Sequence, residues 1–482
     1  MTYYILLLLL AALTFTNNVY AKNAVSPGTV PVNPPVTGFG IDGDLKATAT
    51  IGDWLPFSST ALTSGVLSPK GVAPSGSNRI FHIVDSFTSG DNTFEGGLKK
   101  NGDLNAYTWK FAKGVPSKCD INNLLVHISK APYSTNPAYG LPGDTWITVS
   151  GDRESTNGNS FISIALLQKV LKSIPPGSGI PGTFISGAPS LTGGRSENDV
   201  QISAEFTGGG TNPNLYLEDW KQVNGTWQWV SRSINSNDAF GSTNAAELLD
   251  VPYVAFNNKK SPSATTYFYP VNAFIEVSFN ISAIYRGSSN PCIGSIASMF
   301  VMTKSSQSVT ADLSDFVDPL QINLDLNVLP PTASGAIYCV GNTIANLNVS
   351  GESGATFRWY SNSNGTGLLY TGASFAPGIN NTVAGSYNYY VTQTQSGCES
   401  KPTTVSETIN PNATANAGTA PAAQCFVAAG NTFNLSGSGT NGSLLWSVQS
   451  KSNPALVPTI TGATTATPSV SITGGTGTVT LR

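Results

Sequence analysis

The chain has 482 residues, with 24 Lys and Arg against 27 Asp and Glu and a formal net charge of −3. Charged residues are only 11% of the total, which leaves no basic footprint for nucleic acid and no charged run that would mark a disordered tail. Two histidines and five cysteines without a Cys-x-x-Cys pair leave a zinc site without ligands.

In chain order, the first feature is the apolar run Ile5–Leu13, too short to span a bilayer and followed by Val19-Tyr20-Ala21, a small-residue cleavage signature. Residues 1–21 therefore read as a signal peptide, although no Lys or Arg precedes the run. No later segment has the length and apolarity of a membrane helix. The mature chain is expected outside the cytoplasm, secreted or at the cell surface, with no membrane span after cleavage. Residues 22–38, which include Pro34-Pro35, read as a Pro-rich linker, extended and without a core.

From residue 39 to 328 the pattern is β-rich. Ile80–Val84, Asn123–Ile128, Trp146–Val149, Phe161–Leu167, Val200–Ala204 and Ala273–Phe279 are runs of β-formers bounded by Gly, Pro, Asn and Asp. Two short segments, Ala245–Leu249 and Leu313–Val317, carry the only helix-period signals and are expected to form a turn or two. Asn224-Gly225 marks a two-residue hairpin, because both turn positions must tolerate positive φ. That register sets Trp220 opposite Trp229 and Gln222 opposite Trp227, with all three tryptophans on one face.

Leu329-Pro330-Pro331 marks a break. Two stretches then repeat one plan: Cys339, Gly341-Asn342-Thr343, Leu347, Ser350-Gly351, Trp359; and Cys425, Gly430-Asn431-Thr432, Leu435, Ser436-Gly437, Trp446. Repetition of this kind marks tandem modules, here 329–410 and 411–482. A cysteine followed at this distance by a tryptophan is the hallmark of an immunoglobulin-like sandwich, in which a disulfide crosses between sheets beside one aromatic plug. On that pattern Cys339 pairs with Cys398, Cys119 and Cys292 are left to each other, and Cys425 has no partner, so the last module is expected to be incomplete. The fold class is all-β: a large N-terminal jelly-roll-like β-sandwich followed by two Ig-like modules.

The string from Cys339 through Arg358-Trp359-Tyr360 and Asn388-Tyr389-Tyr390-Val391 to Gly397-Cys398-Glu399-Ser400 resembles the Ig-like modules of very large secreted proteins of gliding bacteria. Residues 411–482, with Trp446-Ser447-Val448 and Gly475–Leu481, resemble the PKD-type Ig-like modules of the same proteins. The N-terminal region is similar, more loosely, to a secreted β-sandwich found ahead of such repeats, on Asp42-Gly43-Asp44, Gly52-Asp53-Trp54, Phe94–Gly97, Gly151-Asp152-Arg153 and Asn290-Pro291-Cys292. The resemblance implies an exported surface protein in a type IX secretion context and carries over no catalytic residue.

Candidate sites are few. Asp42, Asp44, Asp85 and Asp91 stand among glycines and turns, with Asp53 and Glu95 nearby. Calcium needs about six to eight hard oxygens, which such loops can supply together; the competing reading is aspartates capping their own turns. Lys46 stands where an EF-hand loop needs an acid, so that motif is excluded. Trp220, Trp227 and Trp229 form either a sugar-stacking platform or part of the core, and the alternation with Lys221 and Gln228 favours the core. Asp152-Arg153-Glu154 reads as a loop with local ion pairs. His82 and His127 read as ordinary strand residues, and Gly177–Gly182 lacks the helix a dinucleotide site requires. Two functions follow: a non-catalytic adhesion protein presenting its sandwich on an Ig-like stalk to a surface glycan or protein ligand, or a carbohydrate-binding module from a polysaccharide-degrading system.

Overall fold

The computed structural model describes residues 21–482, except 36, 86–89, 113–114, 133–140, 142, 207–211, 256–264, 353 and 396. The expected signal peptide, apart from Ala21, lies outside the described residues. The chain is all-β, and Ile281–Arg286 is the one α-helix among the described residues. It divides into two units, one reaching residue 327 and including 396–398, the other comprising 328–395 and 399–482.

The first unit is built on two antiparallel sheets. In the larger, Asn214–Val223, Val200–Phe206, Ser160–Leu167, Ser295–Lys304 and Leu313–Asp325 lie side by side, and Asn92–Phe94, Thr108–Phe111, Gly182–Ser186 and Leu171–Ile174 extend that row. The smaller runs Ala239–Thr243, Phe274–Asn280, Thr145–Asp152, Asn123–Lys130, Ile80–Val84. Alternation sends Leu124, Val126, Ile128, Val149, Ile275 and Val277 from the smaller sheet against Ile162, Ile164, Ile202, Leu217 and Val301 of the larger. Each such side chain, fully buried, contributes about 1.5–3 kcal/mol.

The smaller sheet is buried on its other face as well. Val30, Val32, Phe39, Ile41, Leu45, Trp54, Leu55, Val66 and Leu67 form a third layer packed on Leu125, Trp146 and Phe274. The strands Thr145–Asp152 and Phe274–Asn280 are consequently buried along their whole length.

Three sequence expectations are corrected here. Residues 22–38 are not a spacer: Asn23–Ala24 pairs with Asn214 and Leu215, Gly28–Val30 pairs with Phe39–Ile41, and Val25, Val30 and Val32 are buried. Backbone pairing to distant strands overrides the proline content. The two helix-like segments are strands, Leu248–Val251 and the 13-residue Leu313–Asp325. Pro319 is accommodated in the latter where the ladder with Ser295–Lys304 shifts register. The Trp hairpin forms as read, with Trp220 opposite Trp229, Gln222 opposite Trp227, and Asn224 and Gly225 at φ 50° and 82°.

In the second unit, Thr356–Tyr360 pairs with Leu368–Thr371 and Gly385–Gln395, and Gly385–Gln395 pairs with Thr403–Asn410. Ile337–Cys339 joins Thr403–Asn410 in parallel. Trp359 is fully buried among Leu347, Val349, Phe375, Val391 and Val405, its indole N–H donating to Gly372 O at 3.0 Å. The last module gathers a smaller core of Leu435, Trp446 and Val470.

The third correction concerns the cysteines. Cys398 is bonded to Cys292, while Cys119, Cys339 and Cys425 are free thiols. Sequence spacing suggested Cys339–Cys398 and Cys119–Cys292, but an inter-sheet bridge requires both cysteines on inner faces beside the tryptophan. Cys339 is instead exposed at the end of its strand, and the interior beside Trp359 is filled by apolar side chains. Cys119 is buried. Non-reducing peptide mapping of the intact protein should therefore recover one peptide pair joined through Cys292 and Cys398. Alkylation without denaturant should label Cys339 and Cys425, with Cys119 reacting only after unfolding.

Candidate functional site

The face of the smaller sheet covered by the third layer carries His82, Asn123, His127, Ser150, Asp152 and Glu276 along with its apolar residues. Buried polar groups on such a face must find partners inside the protein. Glu276 shows how. Its carboxylate is fully buried, with Oε2 accepting the backbone N–H of Asp42 at 3.2 Å and of Gly43 at 2.9 Å. Its Oε1 accepts the Trp54 indole N–H at 2.7 Å, and Ser150 Oγ lies 2.9 Å from the same nitrogen. Gly43 holds φ +89°, and a Cβ there would meet Thr243 O at 2.6 Å, so no other residue closes this turn without displacement.

Around that anchor the Asp42, Asp44 and Asp53 carboxylates converge, with oxygens all within 4.8 Å of one another. Asp42 is exposed, Asp44 half-buried and Asp53 buried. Burial first, then the neighbouring Glu276 and Asp44 charges, push the Asp53 carboxyl well above the usual aspartate range. Burial and the Asp42 charge do the same for Glu276. No Lys or Arg forms an ion pair with any of the four among the described residues. The turn-capping reading is also realised, since Asp42 Oδ1 accepts from Asp44 N at 3.2 Å and Asp44 Oδ1 from Lys46 N at 2.7 Å. One loop does both.

The second group joins Asp85 and Asp91 to Asp315, again with oxygens within 4.8 Å. Asp315 Oδ2 accepts from Ile121 N at 2.8 Å and Oδ1 from Phe316 N at 2.7 Å. Burial and the charges of Asp85, Asp91 and Asp120 hold its carboxyl well above the usual range. The four aspartates expected from sequence thus fall into two separate groups, the first joined by Asp53 and anchored by Glu276, the second completed by Asp315. Asp315 and Glu276 stand more than 200 residues from the loops they meet, and no local signal could have found them.

On the tryptophan face the structure follows the core reading that the alternation favoured, not the sugar platform. Trp220 and Trp229 are buried, with Arg195 over Trp220 at 4.5 Å and Trp229 at 5.5 Å, and their N–H groups donate to Thr192 O and Lys100 O. Trp54 and Trp146 are buried too. Only Trp227 keeps partial exposure, stacked on Trp220 at 6.4 Å. Arg153 is likewise structural: its guanidinium binds the Asn272 and Gly158 carbonyls and covers the Phe206 ring at 4.6 Å.

Residues 329–411 match the family described as Ig-like domain, CHU_C associated. This is the Ig-like module. A comparison with curated proteins gives no match. Among solved structures, the adhesin domain of Epf from Streptococcus pyogenes is 11% identical over 69% of this chain and 99% of its own, with a TM-score of 0.13. The Dpr2 Ig1-Ig2 complex with DIP-Theta Ig1-Ig3 is 9% identical over 68% and 83%, at 0.15. A β-1,2-glucanase from Parabacteroides distasonis is 13% identical over 68% of this chain and 39% of its own, at 0.13. At these scores the likeness carries no argument about ligand or activity.

The carboxylate groups generate a pH prediction with a definite sign. Asp53 and Asp315, whose folded values lie above the ordinary 3.8, bind protons more tightly folded than unfolded. Their stabilisation is complete below the unfolded value and lost as pH rises through the folded one. In chelator, the first unit's thermal midpoint should rise as pH falls from neutral towards 4, and Asp53→Asn should flatten that slope. Trp54→Phe, which strips Glu276 of a donor, should cost roughly 1–3 kcal/mol in denaturant titrations.

Proposed function

We propose that this chain is an exported, non-catalytic surface protein that works by adhesion, its N-terminal β-sandwich presenting loops to a glycan or protein ligand and its Ig-like modules serving as the stalk. The observation that carries this reading is the Ig-like module at 329–411. The Cys292–Cys398 disulfide agrees with it, since such bonds persist in oxidising compartments. No helix among the described residues is long and apolar enough to cross a membrane. The secretion route through the type IX system rests on the sequence resemblance.

Calcium is the cofactor this reading takes. The Asp42–Asp44–Asp53 loop and the Asp85–Asp91–Asp315 group each offer several hard oxygens, and a divalent cation would relieve the repulsion that adds to burial in raising the Asp53 and Asp315 carboxyls. The carbohydrate-binding alternative loses its platform, because the tryptophans that would stack on sugar are core residues.

Two measurements test the proposal. Beads coated with the intact chain should attach to host or bacterial surfaces; no attachment to any surface, together with turnover of a polysaccharide, would replace adhesion with catalysis. Calcium added to chelated protein at pH 7 should raise the thermal midpoint and do so less in Asp53→Asn, whereas equal midpoints with and without the ion would remove calcium from the reading.

A further inference from the structure

His82 lies on the edge strand Ile80–Val84 and points into the layer that covers the sheet. Its Nδ1 stands 2.6 Å from the carbonyl oxygen of Gly71, in the turn Ser68–Val72 of the covering layer. Its Nε2 stands 3.0 Å from Asn123 Oδ1. The first partner is a carbonyl and can only accept. The second can only accept as well, because the Asn123 amide is fixed: its Nδ2 donates to Asp152 Oδ2 at 2.8 Å and to Val254 O at 2.9 Å. Turning that amide over would set its oxygen against both a carboxylate and a carbonyl. Protonating Asp152 would relieve one of these conflicts and leave the Val254 conflict in place.

Two acceptors require two ring N–H groups, and imidazole has both only when it is protonated. The surroundings favour that form. The Tyr253 ring lies 4.4 Å from the imidazole, within cation–π range. Asp152, behind Asn123, has its carboxyl raised by burial and is held by the Asn122 and Asn123 N–H groups and the Tyr269 hydroxyl, which oppose that rise. Burial pushes the Tyr253 and Tyr269 phenols up, so both stay neutral. The remaining cations nearby along the chain are Lys70, exposed on the turn, and Arg79, whose guanidinium is turned to the Ile322 carbonyl.

We propose that His82 is a proton-controlled clasp: as imidazolium it ties the Ser68–Val72 turn to the sheet, and on losing a proton it must release one of its two acceptors. The turn is the partner free to move. Its other hydrogen bonds are internal, from Gly71 N to Ser68 O at 2.8 Å, Ser68 N to Val72 O at 3.0 Å and Val72 N to Ser68 Oγ at 3.1 Å. Asn123, by contrast, is held in the sheet. The covering layer that carries Asp42, Asp44 and Asp53 thus has one edge whose attachment follows the protonation of the His82 ring.

The experiment is ¹⁵N-histidine NMR of the intact chain with hydrogen exchange of the same sample from pH 5 to 8. The chain has two histidines. His127, buried and driven down to about 3 by desolvation, stays neutral and serves as the internal reference. The expected result is a His82 ring with both nitrogens protonated at the acid end. Amide exchange at Lys70, Gly71 and Val72 should rise roughly fivefold as that ring deprotonates, the scale of one lost hydrogen bond. His82→Phe should show the faster exchange at every pH. A His82 ring that remains a single neutral tautomer across the range overturns the proposal. So does a ring that titrates while exchange at residues 70–72 stays level, and both readings come from the unsubstituted protein even where His82→Phe fails to fold.

Discussion

The constraint on which the first unit depends is a five-stranded sheet with no face left to water. One face meets the larger sheet through aliphatic side chains, and any apolar pattern of the right period would satisfy it. The other face mixes apolar residues with Glu276, Asp152, Asn123 and Ser150, each of which needs a partner once buried, although the two His127 ring nitrogens on the same face have none among the described residues. That requirement, rather than apolar area, fixes the covering layer. The Trp54 indole and the Gly43 turn stand where they do because Glu276 needs their N–H groups.

The larger sheet repeats the theme on its outer side. Lys100 and Glu218, both almost fully buried, form an ion pair at 2.6 Å, and Gln201 and Gln307 donate to the second Glu218 oxygen. Nearby Lys304 is driven down to about 7 by burial and by the Lys100 charge. Buried pairs of this sort offset their own desolvation at best, so they are poor sources of net stability. Their effect is to make alternative registers costly, because a one-residue slip would carry each charge to the apolar face.

What the sequence disclosed and what it withheld divide along the range of the interaction. The Asn224-Gly225 hairpin was legible to the residue because turn chemistry sets its register within a few positions. The Ig-like module at 329–411 was legible from the string running from Cys339 through Trp359 to Cys398. The cysteine pairing was misread because spacing reports distance along the chain and not which face a side chain occupies. The linker at 22–38 was misread because proline content is a local signal, while its pairing with Asn214 and Leu215 is not. The two carboxylate groups were half legible: Asp42 and Asp44, like Asp85 and Asp91, announce themselves as loop acids. Glu276 and Asp315 are strand residues whose role exists only once the sheets are assembled.

The repeated plan in the second unit invites a sharper reading of what such a repeat encodes. Cys339 and Cys425 occupy equivalent places and are both exposed, so the plan does not specify a cross-link. Trp359 and Trp446 are both buried, and both direct the indole N–H to a backbone carbonyl at 3.0 Å, Gly372 in one and Thr465 in the other. A buried indole needs its single donor satisfied, and a carbonyl from a neighbouring loop does this without another side chain. The common element is therefore the seat of the tryptophan. Around it the modules diverge: six buried apolar side chains surround and include Trp359, whereas three, counting Trp446 itself, make up the last core. Trp446 also lines a cavity of about 490 Å³ with Phe433, Leu435 and Val470. Apolar burial scales with the contacts made, so the same seat gives a firmly packed module in one place and a loosely packed one in the other.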